Sequence, residues 1–233
     1  MGINVSKSKL VSLTDAHERL VVTHPDKNPV EYNLGLEKYL TAVFQRKKAR
    51  NRTGDGNPLI YALKNMHRFR ISDEDRASLF GLMKSIIARH YQGEVFDRIL
   101  PLPSSKPVVF WVAQACQEAQ GVPVERNAFV KATNANVLAQ LQQVESHKEI
   151  IELRKLLEAR KPNAVFSMKD LSQFQRQFVE PVRLNPFFTP EGRVLLVDDL
   201  VSSGATFKSG YRSVKNKHPE VDIECLSLLG PVT

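Results

Sequence analysis

Residues 193–207 read RVLLVDDLVSSGATF, and this stretch constrains the fold more than any other. Val194, Leu195, Leu196 and Val197 form an unbroken apolar run that stops at two adjacent acids, Asp198 and Asp199. A run this short, apolar on both faces and partly β-branched, fits a strand inside a parallel sheet covered by helices on either side. The turn that follows is built from small residues. Beyond it Phe207, Tyr211 and Val214 recur at i, i+4 and i+7, the stripe of an amphipathic helix. A strand that needs cover on both faces, followed at once by a helix able to supply it, predicts an α/β fold.

The flanking segments agree. Residues 96–100 form a strand candidate ending in the proline-punctuated loop PLPSSKP, and VVFWVAQACQEAQ after it has the spacing of a helix buried on one side. GVPVERNAFVKA holds a turn and a further strand, and VDIECLSLLG supplies the last one. Ser72 before acids at 73–75 is a capping signal for a helix carrying Leu79, Leu82, Met83, Ile86 and Ile87 on one face. Residues 134–178 are polar and helix-prone, EIIELRKLLEARK being the clearest amphipathic piece, and Pro181, Pro186 and Pro190 punctuate the return. An excursion this long between strands predicts a helical, lid-like insertion over 134–190.

Residues 1–56 are polar and mixed. Leu34, Leu36, Tyr39, Leu40, Val43 and Phe44 have helix-like spacing, so a mostly helical N-terminal extension is expected. The basic cluster QRKKARNR at 45–52 runs into the loop signal TGDGNP, which sets a boundary at 56 between this extension and the main domain, 57–233.

With 233 residues, 42% of them hydrophobic, the chain can bury one sizeable core. No apolar run is long enough to span a bilayer, and the first residues lack a secretory signal, so a cytoplasmic protein is expected. Cys116 and Cys225 lie in apolar patterns and read as buried free thiols. The histidines form no metal motif. A net charge of +8 favours anionic partners, phosphorylated small molecules or nucleic acid. His67-Arg68-Phe69-Arg70 is the compact aromatic–basic candidate for stacking on single strands, although Phe69 and Trp111 are both expected in packing roles.

In parallel sheets ligands bind beyond the carboxyl ends of the strands, where Asp198 and Asp199 fall. Backbone N–H groups of Ser202, Ser203, Gly204, Ala205 and Thr206, at the start of a helix, can converge on a phosphate. The acids must face another part of such a ligand, vicinal hydroxyls or a bound Mg²⁺. An anion cup beside a diol acceptor describes a ribose 5-phosphate site.

VLLVDDLVSSGAT resembles the phosphoribosyl-diphosphate (PRPP) motif of type I phosphoribosyltransferases, in which four apolar residues, two acids and two apolar residues precede Thr-Thr-Gly-x-Thr. Ser202 and Ser203 replace the usual threonines and keep their hydroxyls. The resemblance implies a parallel sheet flanked by helices, transfer of a 5-phosphoribosyl group to an acceptor with release of pyrophosphate, and Mg²⁺ as cofactor. It further implies that Asp198 and Asp199 are catalytic, hold the ribose hydroxyls and approach the metal through them, while residues 202–206 wrap the 5-phosphate. ILPLPSSKP is similar to the family's pyrophosphate loop, with Ser104, Ser105 and Lys106 as contacts. YALKNMHRF followed by a helix and ILPLP is similar to the ComF-like branch. That branch's Arg-x-x-x-Thr-x-x-Gln stretch has only a looser counterpart in Arg126, Lys131, Thr133 and Gln140, of which Lys131 is the candidate lid contact. The resemblance covers residues 57–233. It leaves the acceptor open, together with a PRPP-sensing or nucleic-acid-associated alternative, such as a retron-type defence effector bound to single-stranded nucleic acid. A homodimer is a further expectation.

Overall fold

The computed structural model describes residues 1–47, 57–145, 147–168, 171–172 and 174–232. The chain opens with short strands, β1 (Gly2–Val5), β2 (Leu10–Thr14), β3 (Val21–Val22) and β4 (Val30–Tyr32), and the longer β5 (Leu40–Arg46). Then come α1 (Pro58–Leu63), β6 (Arg70–Ile71), α2 (Asp73–His90), β7 (Arg98–Pro101) and α3 (Val108–Gln120). Next are β8 (Phe129–Lys131), α4 (Asn134–Gln142), α5 (Lys148–Glu158) and β9 (Val182–Leu184). Finally β10 (Arg193–Leu200), α6 (Ala205–Lys215) and β11 (Asp222–Val232) close the chain.

The main sheet runs β3-β5-β11-β10-β7, with β4 also pairing β5. Its three inner pairings join β5, β11, β10 and β7, which lie parallel to one another, so all four carboxyl ends emerge on one edge. β3 and β4 run antiparallel along the outer side of β5. A second sheet, β1-β2-β6, and the β8–β9 ribbon stand apart from it.

The period of β10 explains the layers. Leu195 and Val197 join a core with α1, α2 and α3, whereas Val194 and Leu196 join a core on the opposite face with Phe207, Tyr211 and Val214 of α6. Gly210 lets α6 come close, since a Cβ there would stand 2.7 Å from a methyl carbon of Leu102. Ser72 caps α2 by accepting the Asp75 N–H at 3.0 Å, as its sequence signal predicts. Cys116 and Cys225 are buried free thiols, and burial pushes both well up.

The N-terminal region differs from its sequence reading. Among the described residues of 1–47 the only helix is a single 3₁₀ turn, Pro25–Lys27, and the stretch expected to be helical contains β5. β5 pairs with β11 inside the main sheet, so these residues are built into it rather than set beside it. The physical reason is burial on both faces: Leu40 to Phe44 are all buried, and such a strand has no alternation to betray it. Of the basic cluster, Arg46 is 2% exposed and its guanidinium donates to the Val201 carbonyl at 2.9 Å. Residues 48–52 lie outside the described residues.

Residues 134–180 do carry helices, α4 and α5, and they have a small core of their own around Val137, Leu141, Ile150, Leu153 and Leu157. Thr133 caps α4 through a reciprocal pair with Asn136, and the Gln140 side chain bonds the Glu180 backbone in both directions. Both residues therefore serve the insertion's own structure. Phe69 is buried as expected, while Trp111 is half-buried with the Arg76 guanidinium 5.6 Å from its ring centre.

Candidate functional site

Asp198 and Asp199 stand at the carboxyl end of β10, one strand over from the loop that leaves β7. The register pairs Val197 with Pro101, and the Leu102 N–H donates to the Val197 carbonyl at 2.9 Å. The two loops are thereby fixed side by side. Adjacent strand residues face opposite ways, so Asp198 continues the α6 face and Asp199 the face of α1 to α3. The Asp199 N–H donates to the Asp198 carboxylate at 2.8 Å.

On the α1 face a partner is waiting. Asn57 accepts the Leu59 N–H, Pro58 occupies the first turn, and the helix ends after six residues at Lys64. The Lys64 ammonium donates to Asp199 Oδ1 at 2.8 Å. Asp199 Oδ2 is buried and has no hydrogen-bond partner among the described residues. A buried carboxylate oxygen left in that condition is costly, and a hydroxyl or a cation brought by a ligand relieves it.

Burial, and secondarily the Asp199 charge, pushes the Asp198 carboxyl up to about 8, against the pull of the Asp199 N–H, Lys64 and Lys131. Burial raises Asp199 too, with the Lys64 ammonium opposing it. Two neighbouring carboxylates, Asp199 buried and Asp198 half-buried, cannot both ionise cheaply, so the pair resists full ionisation. Positive charge or hydroxyl donors arriving from outside stabilise the ionised form.

Beyond the acids, the Val201 N–H donates to the Leu229 carbonyl at 2.9 Å, and the Val201 carbonyl accepts from Arg46. The turn is thus tied to β11 and β5. Gly204 precedes α6 at φ +73°, a left-handed conformation, and Leu34 packs close beneath it. Gly204 has no side chain with which to cap α6, and the Ala205 N–H makes only a long bond, 3.5 Å, to the hydroxyl of the exposed Ser203. An uncapped helix start at the end of a parallel strand has the polarity to hold an anion.

The remaining sequence candidates fall as follows. Lys131, at the end of β8, is near enough for its charge to act on both acids. Ser104, Ser105 and Lys106 occupy the loop after β7 on the same edge, with Ser105 and Lys106 exposed and Ser104 accepting the Lys106 N–H at 3.2 Å. Arg126 lies over the Phe110 ring at 5.3 Å, away from the acids' hydrogen bonds. Two residues with a part in the site were given no role there by sequence reasoning: Lys64, which falls in the YALKNMHRF resemblance, and Arg46, in the basic cluster. Lys64 is separated from Asp199 by 135 positions, and only a three-dimensional pairing joins them.

No protein-family model matches the chain, and no curated protein does. Among solved structures it is similar to adenine phosphoribosyltransferase from Leishmania tarentolae, at 12% identity and a TM-score of 0.39 over 98% of this chain and 94% of that one. It is also similar to the Leishmania donovani enzyme, at 12% identity and TM-score 0.35 over 98% and 86%. The Trypanosoma brucei enzyme, in complex with AMP, pyrophosphate and ribose-5-phosphate, matches at 11% identity and TM-score 0.38 over 99% and 86%. Likeness of this degree carries no functional inference, and the chemistry has to be read from the site itself. No helix among the described residues is long and apolar enough to cross a membrane.

Proposed function

We propose that this chain is a phosphoribosyltransferase that binds PRPP and transfers its 5-phosphoribosyl group to a nitrogen acceptor. The observation that carries the reading is the strand end itself: Asp199, with one buried oxygen unpaired, stands directly before an uncapped helix start. The first suits ribose hydroxyls and the second suits a 5-phosphate. In this reading Asp198 and Asp199 accept hydrogen bonds from the ribose hydroxyls and orient the sugar. Residues 202–206 donate N–H and O–H groups to the 5-phosphate. Ser104, Ser105 and Lys106 receive the pyrophosphate, and Lys131, at the end of β8, adds positive charge beside the insertion, which acts as a lid over 134–190. The bond from C1 to the pyrophosphate oxygen breaks with its electron pair leaving on that oxygen, and a bond from C1 to the acceptor nitrogen forms. Because the sugar passes through an oxocarbenium-like state, the protein's task is positioning and charge stabilisation.

The donor set fits Mg²⁺: two carboxylates, one with a free buried oxygen, are what this ion takes when water and substrate phosphates complete its shell. Bound with PRPP, it would neutralise the departing pyrophosphate. Lys64 has a distinct part, holding Asp199 in place so that Oδ2 faces the ligand. The Leu63-Lys64 position is also what supports placing the chain near the ComF-like branch, and a cytoplasmic location accords with this chemistry. Calorimetric titration of PRPP with Mg²⁺ tests the reading. Saturable binding by the wild-type chain that is lost in Asp198→Asn/Asp199→Asn supports it, and absence of binding by folded wild-type protein refutes it.

A further inference from the structure

On the flank of α6 lies a cleft of about 810 Å³ between that helix and Leu171 and residues 176–180. Arg176, Lys208 and Arg212 line it, together with Ser203, Ser209 and Gln177. Among the described residues none of these three cations forms an ion pair, and Glu180, the acid in the lining, pairs with none of them. Arg176 is held by its Nε–H, which donates to the Leu171 carbonyl at 3.2 Å.

Lys208 and Arg212 are four residues apart on α6, hence stacked on one face with like charge. Gly204 and Asn216, the next residues along that row, are uncharged, so no acid on it compensates them. This arrangement disfavours the helix by itself. An anion between α6 and the facing Arg176 would relieve it, and the uncapped start of α6 adds positive potential at the same end. The volume lies within the ~300–1,000 Å³ range of ligand pockets.

We propose that this cleft is a second anion site that binds a phosphate ester, centred on Arg176, Lys208 and Arg212 and adjoining the 5-phosphate turn, whose Ser203 and Ala205 form its rim. The shared chemistry is a phosphate held by two guanidinium groups and an ammonium. Its sources are a mononucleotide or the backbone of a single strand. The inference stands on the cleft and does not require that PRPP be the ligand of the turn.

The test uses the full chain, fluorescein-labelled oligo(dT) of about 12 nucleotides by anisotropy and thymidine 5′-monophosphate by calorimetry, each with and without saturating ribose 5-phosphate. Lys208→Gln/Arg212→Gln is compared with Lys7→Gln/Lys148→Gln, which removes equal charge at exposed sites elsewhere. Thermal melting confirms that both variants are folded. We expect the cleft variant to bind oligo(dT) at least about tenfold more weakly, with the slope of log affinity against log salt reduced by about 1.4, two single-strand contacts at roughly 0.7 each. The control should change little. Binding of the monophosphate with the same loss in the cleft variant identifies a small ester, and binding of oligo(dT) alone identifies a strand. Equal losses in both variants, displacement by ribose 5-phosphate, or no binding of either probe would overturn the proposal. PRPP titration of the cleft variant separates this outcome from failure of the transferase reading, because that binding should survive.

Discussion

β5 and β10 flank the same strand, β11, and both are apolar, buried and parallel to it, yet they end in opposite ways. β10 ends in two acids whose charges are not fully matched by the protein, with Asp199 Oδ2 left unpaired. β5 ends in a cation, Arg46, that donates to the Val201 carbonyl and so ties down the turn after the acids. The difference separates a strand end proposed to take a ligand from one whose last side chain holds the neighbouring turn. A charge that the protein itself satisfies is scaffolding, and one it leaves wanting is a place for chemistry.

The comparison can be broken by experiment. The largest effect expected is from Asp198→Asn/Asp199→Asn, which should weaken PRPP binding by at least about a hundredfold, since two charge-assisted hydrogen bonds are removed, while the fold persists. Lys64→Met should destabilise by about 3 kcal/mol in chemical denaturation, because Asp199 is left buried without its ammonium. Arg46→Met should cost about 2 kcal/mol and act on the turn from the other side of β11, orphaning the Val201 carbonyl without touching either acid. Gly204→Ala should cost about 1 kcal/mol, for the left-handed backbone and the approach of Leu34.

The same contrast extends to pH. Unfolded, Asp198 releases its proton near the ordinary value of 3.8, whereas the folded chain retains it up to about 8. Between those limits the native state holds the extra proton, so this group's contribution to stability falls as pH rises through that window. Asp198→Asn should flatten the slope, gaining in melting temperature relative to wild type at pH 8 more than at pH 5. A variant with an unchanged slope would remove Asp198 as the source.

β10 was legible because its apolar run is interrupted by charge at one end, which marks both the length of the strand and the edge of the sheet on which it finishes. α2, α3 and α6 were legible through their period, α2 also through its cap, and α6's Gly204 through its turn. β5 was not. Its run LTAVF continues the helical spacing of Leu36 and Tyr39, and its burial comes from β4 and β11, partners that local periodicity does not report. β3 and β6, two residues each, have no period to read. Within the site, the acids and the turn were visible because they are contiguous. Lys64 was not, because its meaning depends on a contact across most of the chain. Lys208 and Arg212 had a signal in their four-residue spacing, but like charges on a surface helix acquire significance only opposite Arg176.

One hydroxyl group ties two of these regions together. Ser209 of α6 accepts the Val182 N–H at 3.0 Å and donates to the Val182 carbonyl at 2.8 Å, completing for β9 the pair of bonds a neighbouring strand would make. The returning limb of the insertion is therefore pinned to the same helix whose first turn is the proposed phosphate cup. Displacing that limb drags the helix, and anything that steadies the helix stiffens the limb: a serine acts here as the axle on which the two turn together.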